Sequence, residues 1–332
     1  MKTATDIPDI SLARITGAAD IGALPSTRAT AAERHTKPDA DALATPSRLR
    51  DFYELTKPRL NFMVVITTFV GFYMASRTTL RHIDFGLLAG TIFGTTLTAA
   101  AAGVLNQYVE RDLDRSMTRT ANRPLPAGRI APFHALLMGI LLGVGGILYL
   151  NFMVNPLTAL LGAATLGSYV FVYTPLKRQS TLCTIVGAVP GAIPPVMGFT
   201  GLQDQISAEA IALFTILFFW QMPHFLAIAI MYKDDYAAGG FKMLPVIDPD
   251  LSMTSRQIII YTLSLLLATL FPYRLGMAGI GYVVVALLGG LIFLWHGVVA
   301  SRLRDRSSAR KLFFCSIIYL PVVLTALMLD KV

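Results

Sequence analysis

From about residue 60 onward the chain is written in long uncharged apolar runs separated by short charged loops. The runs cover 60–76, 85–109, 130–176, 179–203, 210–232, 257–273, 275–301 and 312–329. A helix that crosses the hydrocarbon of a bilayer needs roughly 17–25 predominantly apolar residues. The run 130–176 has room for two such helices, with a break at Asn151 to Pro156, and each of the others has room for one. The pattern therefore predicts nine membrane-crossing helices, an all-α polytopic bundle. Gly and Pro inside several runs fit that environment, where they are more frequent than in soluble helices. Residues 1–50 read differently. They are polar and rich in Ala, Thr, Asp and Pro, the composition of a disordered cytoplasmic tail. No apolar core of a secretory signal is present, and the acids Asp6, Asp9, Asp20, Glu33, Asp39 and Asp41 argue against a transit peptide. The expected organisation is a tail over 1–50 and a nine-helix membrane domain over 51–332, in a bacterial inner membrane.

Composition agrees with this reading. Of the 332 residues 54% are hydrophobic and only 14% charged, where a soluble domain carries about a quarter charged residues. A net charge of +8 would suggest nucleic acid in a soluble protein. Here the distribution of the charges explains it. The alternate loops 106–131, 174–183, 232–256 and 300–311 hold 15 Lys and Arg, and 48–59 adds Arg48, Arg50, Lys57 and Arg59. The opposite face has Arg77, Arg81, Arg274 and Lys331. The basic side is cytoplasmic, so the N-terminus is expected inside, the C-terminus outside, and no nucleic-acid role is needed. Cys183 and Cys315 form neither a metal spacing nor a disulfide framework.

Two acidic clusters then change the picture, because both fall on the cytoplasmic side. Carboxylates at the edge of hydrocarbon are costly and tend to be functional. Asn106, Glu110 and Asp114 are spaced four apart, which puts them on one helix face. Asp112 points elsewhere. Such an oxygen stripe suits Mg²⁺, which takes hard oxygen ligands and keeps positions for water and substrate phosphates. The competing reading is a solvated loop with Glu110 and Asp114 paired to Arg111, Arg115 or Arg119. The second cluster, Asp234 with Asp235, ends the sixth span. Two metal-holding clusters facing one aqueous side suggest a Mg²⁺–diphosphate site and an intramembrane prenyl transfer. Lys57, Arg59, Arg119, Arg123, Lys177, Arg178 and Lys242 crowd these clusters and are candidates to neutralise the phosphates. His224 stands mid-span in a charge-free run, one residue after Pro223. Its competing readings are a helix–helix hydrogen bond and a role toward a bound group, as iron ligand, proton acceptor or propionate partner.

The segments Asn106-Gln-Tyr-Val-Glu-Arg-Asp-Leu-Asp114 and Met117-Thr-Arg-Thr-Ala-Asn-Arg-Pro-Leu-Pro-Ala-Gly128 resemble the first signature of the UbiA-type prenyltransferase superfamily. Leu55–Leu60, Tyr173–Arg178, Trp220–Ala227 and Tyr232–Pro245 narrow the resemblance to the protohaem IX farnesyltransferases, the haem O synthases. It covers about residue 52 to the C-terminus. It implies a nine-helix bundle around a central cavity, with farnesyl diphosphate and haem B as substrates and haem O and diphosphate as products. It also implies Mg²⁺ held by Asn106, Glu110, Asp114, Asp234 and Asp235, and a haem A synthase as a possible partner. Glu110 departs from the family's usual Asp, and adjacent Asp234 and Asp235 replace the pair four apart seen in many members. The alternatives are a transferase for a quinone precursor or chlorophyllide, and a transporter using the carboxylates as an ion path. The absence of mid-span acids counts against the transporter.

Overall fold

The computed structural model describes residues 47–76 and 84–332. The tail through residue 46 and the loop carrying Arg77 and Arg81 lie outside the described residues. Among the described residues, nine helices are long and apolar enough to cross a bilayer. In chain order these spans are Pro58–Ala75, Phe85–Asp114, Pro132–Met153, Pro156–Leu176, Cys183–Gln203, Ala208–Met231, Ser252–Arg274, Ile280–Leu303 and Arg306–Leu329. A short helix, Arg48–Leu55, precedes them, its first turn capped by Ser47. Among the described residues helical structure thus begins at Arg48, within the last residues assigned to the tail.

The break expected in the longest run has a local cause. The third span ends at Met153. Asn155 then caps the fourth by accepting from the Thr158 N–H at 2.8 Å, and Pro156 opens that helix. Proline is at home there, because its missing N–H has no partner to lose in a first turn. The fifth span is interrupted near Ile193 by Pro194 and Pro195, which divide it into Cys183–Ala192 and Pro194–Gln203.

Burial separates centre from rim. The fifth span is 72% buried inside the protein, while the third and fourth are each 28% buried. Leu141, Phe152, Phe171, Trp295 and Ile318 are exposed on the outer surface. Lipid tails are as apolar as these side chains, so the exposure is not penalised there, and helices associate through close packing instead. Gly71 of the first span lies against the Pro195 carbonyl, and Gly198 of the fifth lies against the Thr68 carbonyl. A methyl group at either glycine would overlap backbone, so this crossing exists only with hydrogen at both positions. The largest core cluster joins Val70 of the first span to Leu213, Ile258, Phe293 and Leu320 of the last four.

The two poles of the bundle differ in chemistry. At one, Lys331 donates to the Tyr73 carbonyl at 2.6 Å and to Ser76 Oγ at 2.9 Å, tying the last residues to the end of the first span. A cavity of about 280 Å³ lies beside them, lined in part by Phe199, Gln203 and Glu209. The acidic segments lie at the opposite pole.

Candidate functional site

The second span runs 30 residues, about 45 Å at 1.5 Å per residue. Hydrocarbon is about 30 Å thick, so the last turns carry polar side chains beyond it. Asn106, Glu110 and Asp114 occupy those turns on one face, and all three are buried, at 1%, 4% and 1% exposure. A buried carboxylate needs a partner. Each member of the row has a cation from a different part of the chain. Lys57 Nζ donates to Asn106 Oδ1 at 2.6 Å, Lys177 Nζ to Glu110 Oε1 at 2.7 Å, and Arg123 Nη1 to Asp114 Oδ2 at 2.8 Å. The local partners Arg111, Arg115 and Arg119 take neither buried carboxylate. Arg111 and Arg115 face exposed Asp112 instead, at 3.6 and 3.9 Å.

Each cation is delivered by its own device. Lys57 has φ 51°, a left-handed conformation in a residue that precedes proline, where the chain normally favours extended backbone. Gly103 leaves room for that corner, since a Cβ there would come within 3.3 Å of the Thr56 carbonyl oxygen. The Gln107 amide holds it by donating to the Leu55 carbonyl at 2.8 Å. Arg123 sits on a loop of successive turns after the second span, pinned where Thr120 Oγ1 donates to the Asp114 carbonyl at 2.9 Å. Lys177 follows a π-helical segment, Ser168–Tyr173, at the end of the fourth span. Pro175 gives that segment its reason, because a proline ring cannot follow a regular α-turn without crowding the carbonyl four residues back.

Electrostatics distinguish the lysines. Burial, reinforced by the nearby charges of Arg123 and Lys177, pushes the Lys57 ammonium down to about 7, against the opposing pull of Glu110 and Asp114. Burial also acts to lower Lys177, but the Glu110 carboxylate, through its charge and its hydrogen bond, outweighs it and holds Lys177 above the ordinary lysine range. Lys177 also lies over the Tyr173 ring at 4.6 Å and the Phe241 ring at 5.6 Å.

The second acidic segment docks onto the first. Span six ends at Met231, and Lys233–Ala238 forms a short helix carrying Asp234 and Asp235. The Arg119 guanidinium lies over the rings of Tyr232 and Tyr236, at 5.2 and 5.8 Å. Gly239 packs on Met117, and the Lys242 N–H donates to the Lys177 carbonyl at 2.7 Å. Asp234 is exposed and Asp235 half-buried, and neither carboxylate has an ion pair among the described residues. No group of three or more His, Cys, Asp or Glu converges on one metal position among the described residues. The donor chemistry nonetheless fits Mg²⁺. The row is all hard oxygen, and each carboxylate gives only one oxygen to its cation. Mg²⁺ binds in this way, through one or two carboxylates completed by water and substrate phosphate.

The remaining predicted residues sort by contact. Arg59 and Arg178 are exposed and their side chains make no bond among the described residues, and the Lys242 side chain is likewise exposed. His224 does make the helix–helix hydrogen bond. Its Nδ1 is 2.7 Å from Ser316 Oγ on the ninth span. Ser316 Oγ is also 2.6 Å from the Phe313 carbonyl; with its hydrogen directed there, His224 Nδ1 is the donor and Nε2 keeps the lone pair. The ring stacks between Trp220 and Phe313, at 4.9 and 5.0 Å, and touches no member of the acid–base row. Sequence reasoning passed over Thr174, Gln107 and Gly103. Pro175 beside Thr174, and the closeness of the other two to Asn106, were the available signals.

Residues 64–318 match the model of the UbiA prenyltransferase family. The chain is 46% identical over 289 residues to a protohaem IX farnesyltransferase of Solibacter usitatus, covering 85% of this chain and 99% of that protein. It is 42% identical over 290 residues to a protohaem IX farnesyltransferase of Opitutus terrae, covering 87% and 97%. Among solved structures, a digeranylgeranylglyceryl phosphate synthase superposes with a TM-score of 0.72 at 16% identity, covering 85% of this chain and 98% of that one. A UbiA homologue from Archaeoglobus fulgidus bound to GPP and Mg²⁺ superposes with a TM-score of 0.59 at 13% identity, covering 83% and 99%.

Proposed function

This chain belongs to the UbiA prenyltransferase family, and from that premise we propose that it farnesylates haem B to haem O at the acid–base pole. The observation that carries the reading is the row of Asn106, Glu110 and Asp114, buried and each seated against a cation. The whole-length relatives at 46% and 42% identity supply the substrate pair. Asn106, Glu110, Asp114, Asp234 and Asp235 would hold Mg²⁺, which when bound would neutralise diphosphate charge as a Lewis acid.

The chain's own groups do the rest. Lys57, Arg123 and Lys177 bind the diphosphate oxygens, and Arg119, Arg178, Arg59 and Lys242 add positive charge around the entrance. The bond between C1 of farnesyl diphosphate and its bridging oxygen breaks, and the electron pair leaves with diphosphate. The π electrons of a haem vinyl group form the new carbon–carbon bond to C1. The carbocation left beside the porphyrin takes the oxygen of a water molecule and releases a proton, giving the hydroxyethylfarnesyl group of haem O. The apolar bundle keeps other water from the first cation. His224, with its Nε2 lone pair, serves the haem, as iron ligand or proton acceptor. The enzyme sits in a bacterial inner membrane with its N-terminus cytoplasmic and C-terminus outside, and a haem A synthase takes the product.

Purified protein given farnesyl diphosphate, Mg²⁺ and haem B should release diphosphate and form haem O. Prenylation of a quinone precursor with no haem O would overturn the haem assignment. Cysteines placed at Arg119 and Gln203 should label from opposite sides of the membrane. Labelling from one side would sink the topology.

A further inference from the structure

We propose that Thr174 is a positioning residue that fixes the orientation of the Asn106 amide, so that an oxygen rather than an NH₂ group faces the metal–diphosphate site. The inference rests on the reading above, in which Asn106 is a ligand. Thr174 is 2% exposed and Asn106 is 1% exposed. Asn106 Nδ2 lies 3.1 Å from Thr174 Oγ1, and Thr174 Oγ1 in turn donates to the Tyr169 carbonyl at 2.8 Å.

The direction of these bonds follows from proton counting. A threonine hydroxyl has one hydrogen. Here that hydrogen goes to Tyr169, so toward Asn106 the oxygen is an acceptor. Only the NH₂ end of the amide can satisfy it, and Oδ1 must point the other way. The π-helical turn makes this possible. In it the Thr174 N–H also reaches back five residues to the Tyr169 carbonyl, bringing the hydroxyl to the same oxygen. The distorted turn therefore has a use beyond accommodating Pro175: it sets a proton direction.

Lys57 faces the other end of the amide and, as a pure donor when charged, favours the same orientation. A lysine that turns to a phosphate oxygen gives up that task, whereas Thr174 has no alternative partner. Without the hydroxyl, an amide flip costs little and presents a donor where a cation ligand is needed. An outer-shell partner of this kind is typically worth about 10–100-fold in metal affinity or activity.

The test uses the full chain in detergent, with Mg²⁺ and inorganic diphosphate as probes and the rise in melting temperature as readout, alongside haem O formation. Thr174→Val keeps shape and removes the hydroxyl, Thr174→Ala removes it with less bulk, and Thr174→Ser keeps it. Val and Ala should each raise the Mg²⁺ concentration for half-maximal stabilisation by about tenfold or more, and Ser should match the parent. In an Asn106→Asp background both ends of the side chain are oxygen, so adding Thr174→Val should change the Mg²⁺ requirement by less than about twofold. Equal Mg²⁺ requirements for parent and Val, equal impairment of Ser and Val, or the same Val effect in both backgrounds would overturn the assignment. A parent protein that shows no Mg²⁺–diphosphate stabilisation would overturn the metal reading itself, a separate failure.

Discussion

Asp114 and Asp235 belong to neighbouring segments at the same pole, yet they live under different rules. Asp114 is 1% exposed and bonded to Arg123 at 2.8 Å. Asp235 is half-buried on a short helix, next to exposed Asp234, and neither has an ion pair among the described residues. The first segment is built into the second span, so its carboxylates are desolvated and must be neutralised by the protein. The second lies outside the sixth span, where water solvates its charges. Structure and chemistry are thus fused in the first acidic segment and separable in the second. Removing a charge from the first leaves a basic partner stranded, while removing one from the second leaves nothing unpaired.

That difference can be broken by mutation, and the largest effect is expected at Asp114. Asp114→Asn removes the charge under Arg123. Breaking a buried pair costs about 3–5 kcal/mol, with the low end appropriate because Arg123 is partly exposed. Turnover should fall about 10²–10³-fold, as for loss of one charge-stabilising group in an active site. Unfolding in detergent and haem O formation over a range of Mg²⁺ would measure both. Unchanged values in both assays would remove Asp114 from the site. Glu110→Asp should be milder than Glu110→Gln, because it keeps the charge that faces Lys177.

Asp234→Asn and Asp235→Asn sharpen the contrast. Each should leave stability within about 0.5 kcal/mol, as for a surface change that strands no partner. Turnover should fall about 10²-fold, the low end for loss of one charge-stabilising group in an active site. If either variant destabilises the fold as much as Asp114→Asn does, the second segment is built into the fold as firmly as the first.

His224→Ala should be smaller again on turnover. It removes one interhelical hydrogen bond, about 0.6 kcal/mol in a membrane bundle, and three ring contacts, with Trp220, Phe225 and Phe313, worth about 0.5–1.5 kcal/mol each. If His224 serves the haem, the absorption spectrum of bound haem should change while diphosphate affinity stays put. A variant with an unchanged spectrum and normal turnover would leave His224 as packing between the sixth and ninth spans.

The smallest effect concerns Asp248, another carboxylate near this pole, which has no ion pair among the described residues. Burial disfavours its charge, but hydrogen bonds from the Thr254 N–H and hydroxyl, at 2.7 and 2.8 Å, outweigh that and hold it below the ordinary 3.8. Its folded value is depressed, so its stabilisation is fully present above 3.8 and is lost as pH falls through the lower folded value. Melting profiles from about pH 6 to about pH 2.5 should be steeper at the acid end for the parent than for Asp248→Asn. Parallel profiles would mean that Thr254 does not favour the charged form.

The sequence by itself determined the helices and the oxygen row. A bilayer leaves no water to satisfy backbone groups, so about 20 apolar residues in a row have one solution, and each charge-free run became one span except 130–176, which became two. Four-residue spacing put Asn106, Glu110 and Asp114 on one face because the helical repeat requires it. Local rules could not assign their partners. Arg111 and Arg115, nearby in sequence, face exposed Asp112, whereas the buried oxygens are met by Lys57, Arg123 and Lys177. Lys57 and Lys177 are 49 and 67 residues away from their partners. Those pairings needed the Gly103 contact, the left-handed Lys57 and the π-turn before Pro175, each a product of how helices meet. His224 shows the same limit. Its sequence context marked it as unusual, but only the approach of Ser316, from 92 residues away, gave the ring its hydrogen-bond partner. Desolvation is collective: whether a charge is buried, and by what it is answered, depends on segments that no local pattern connects.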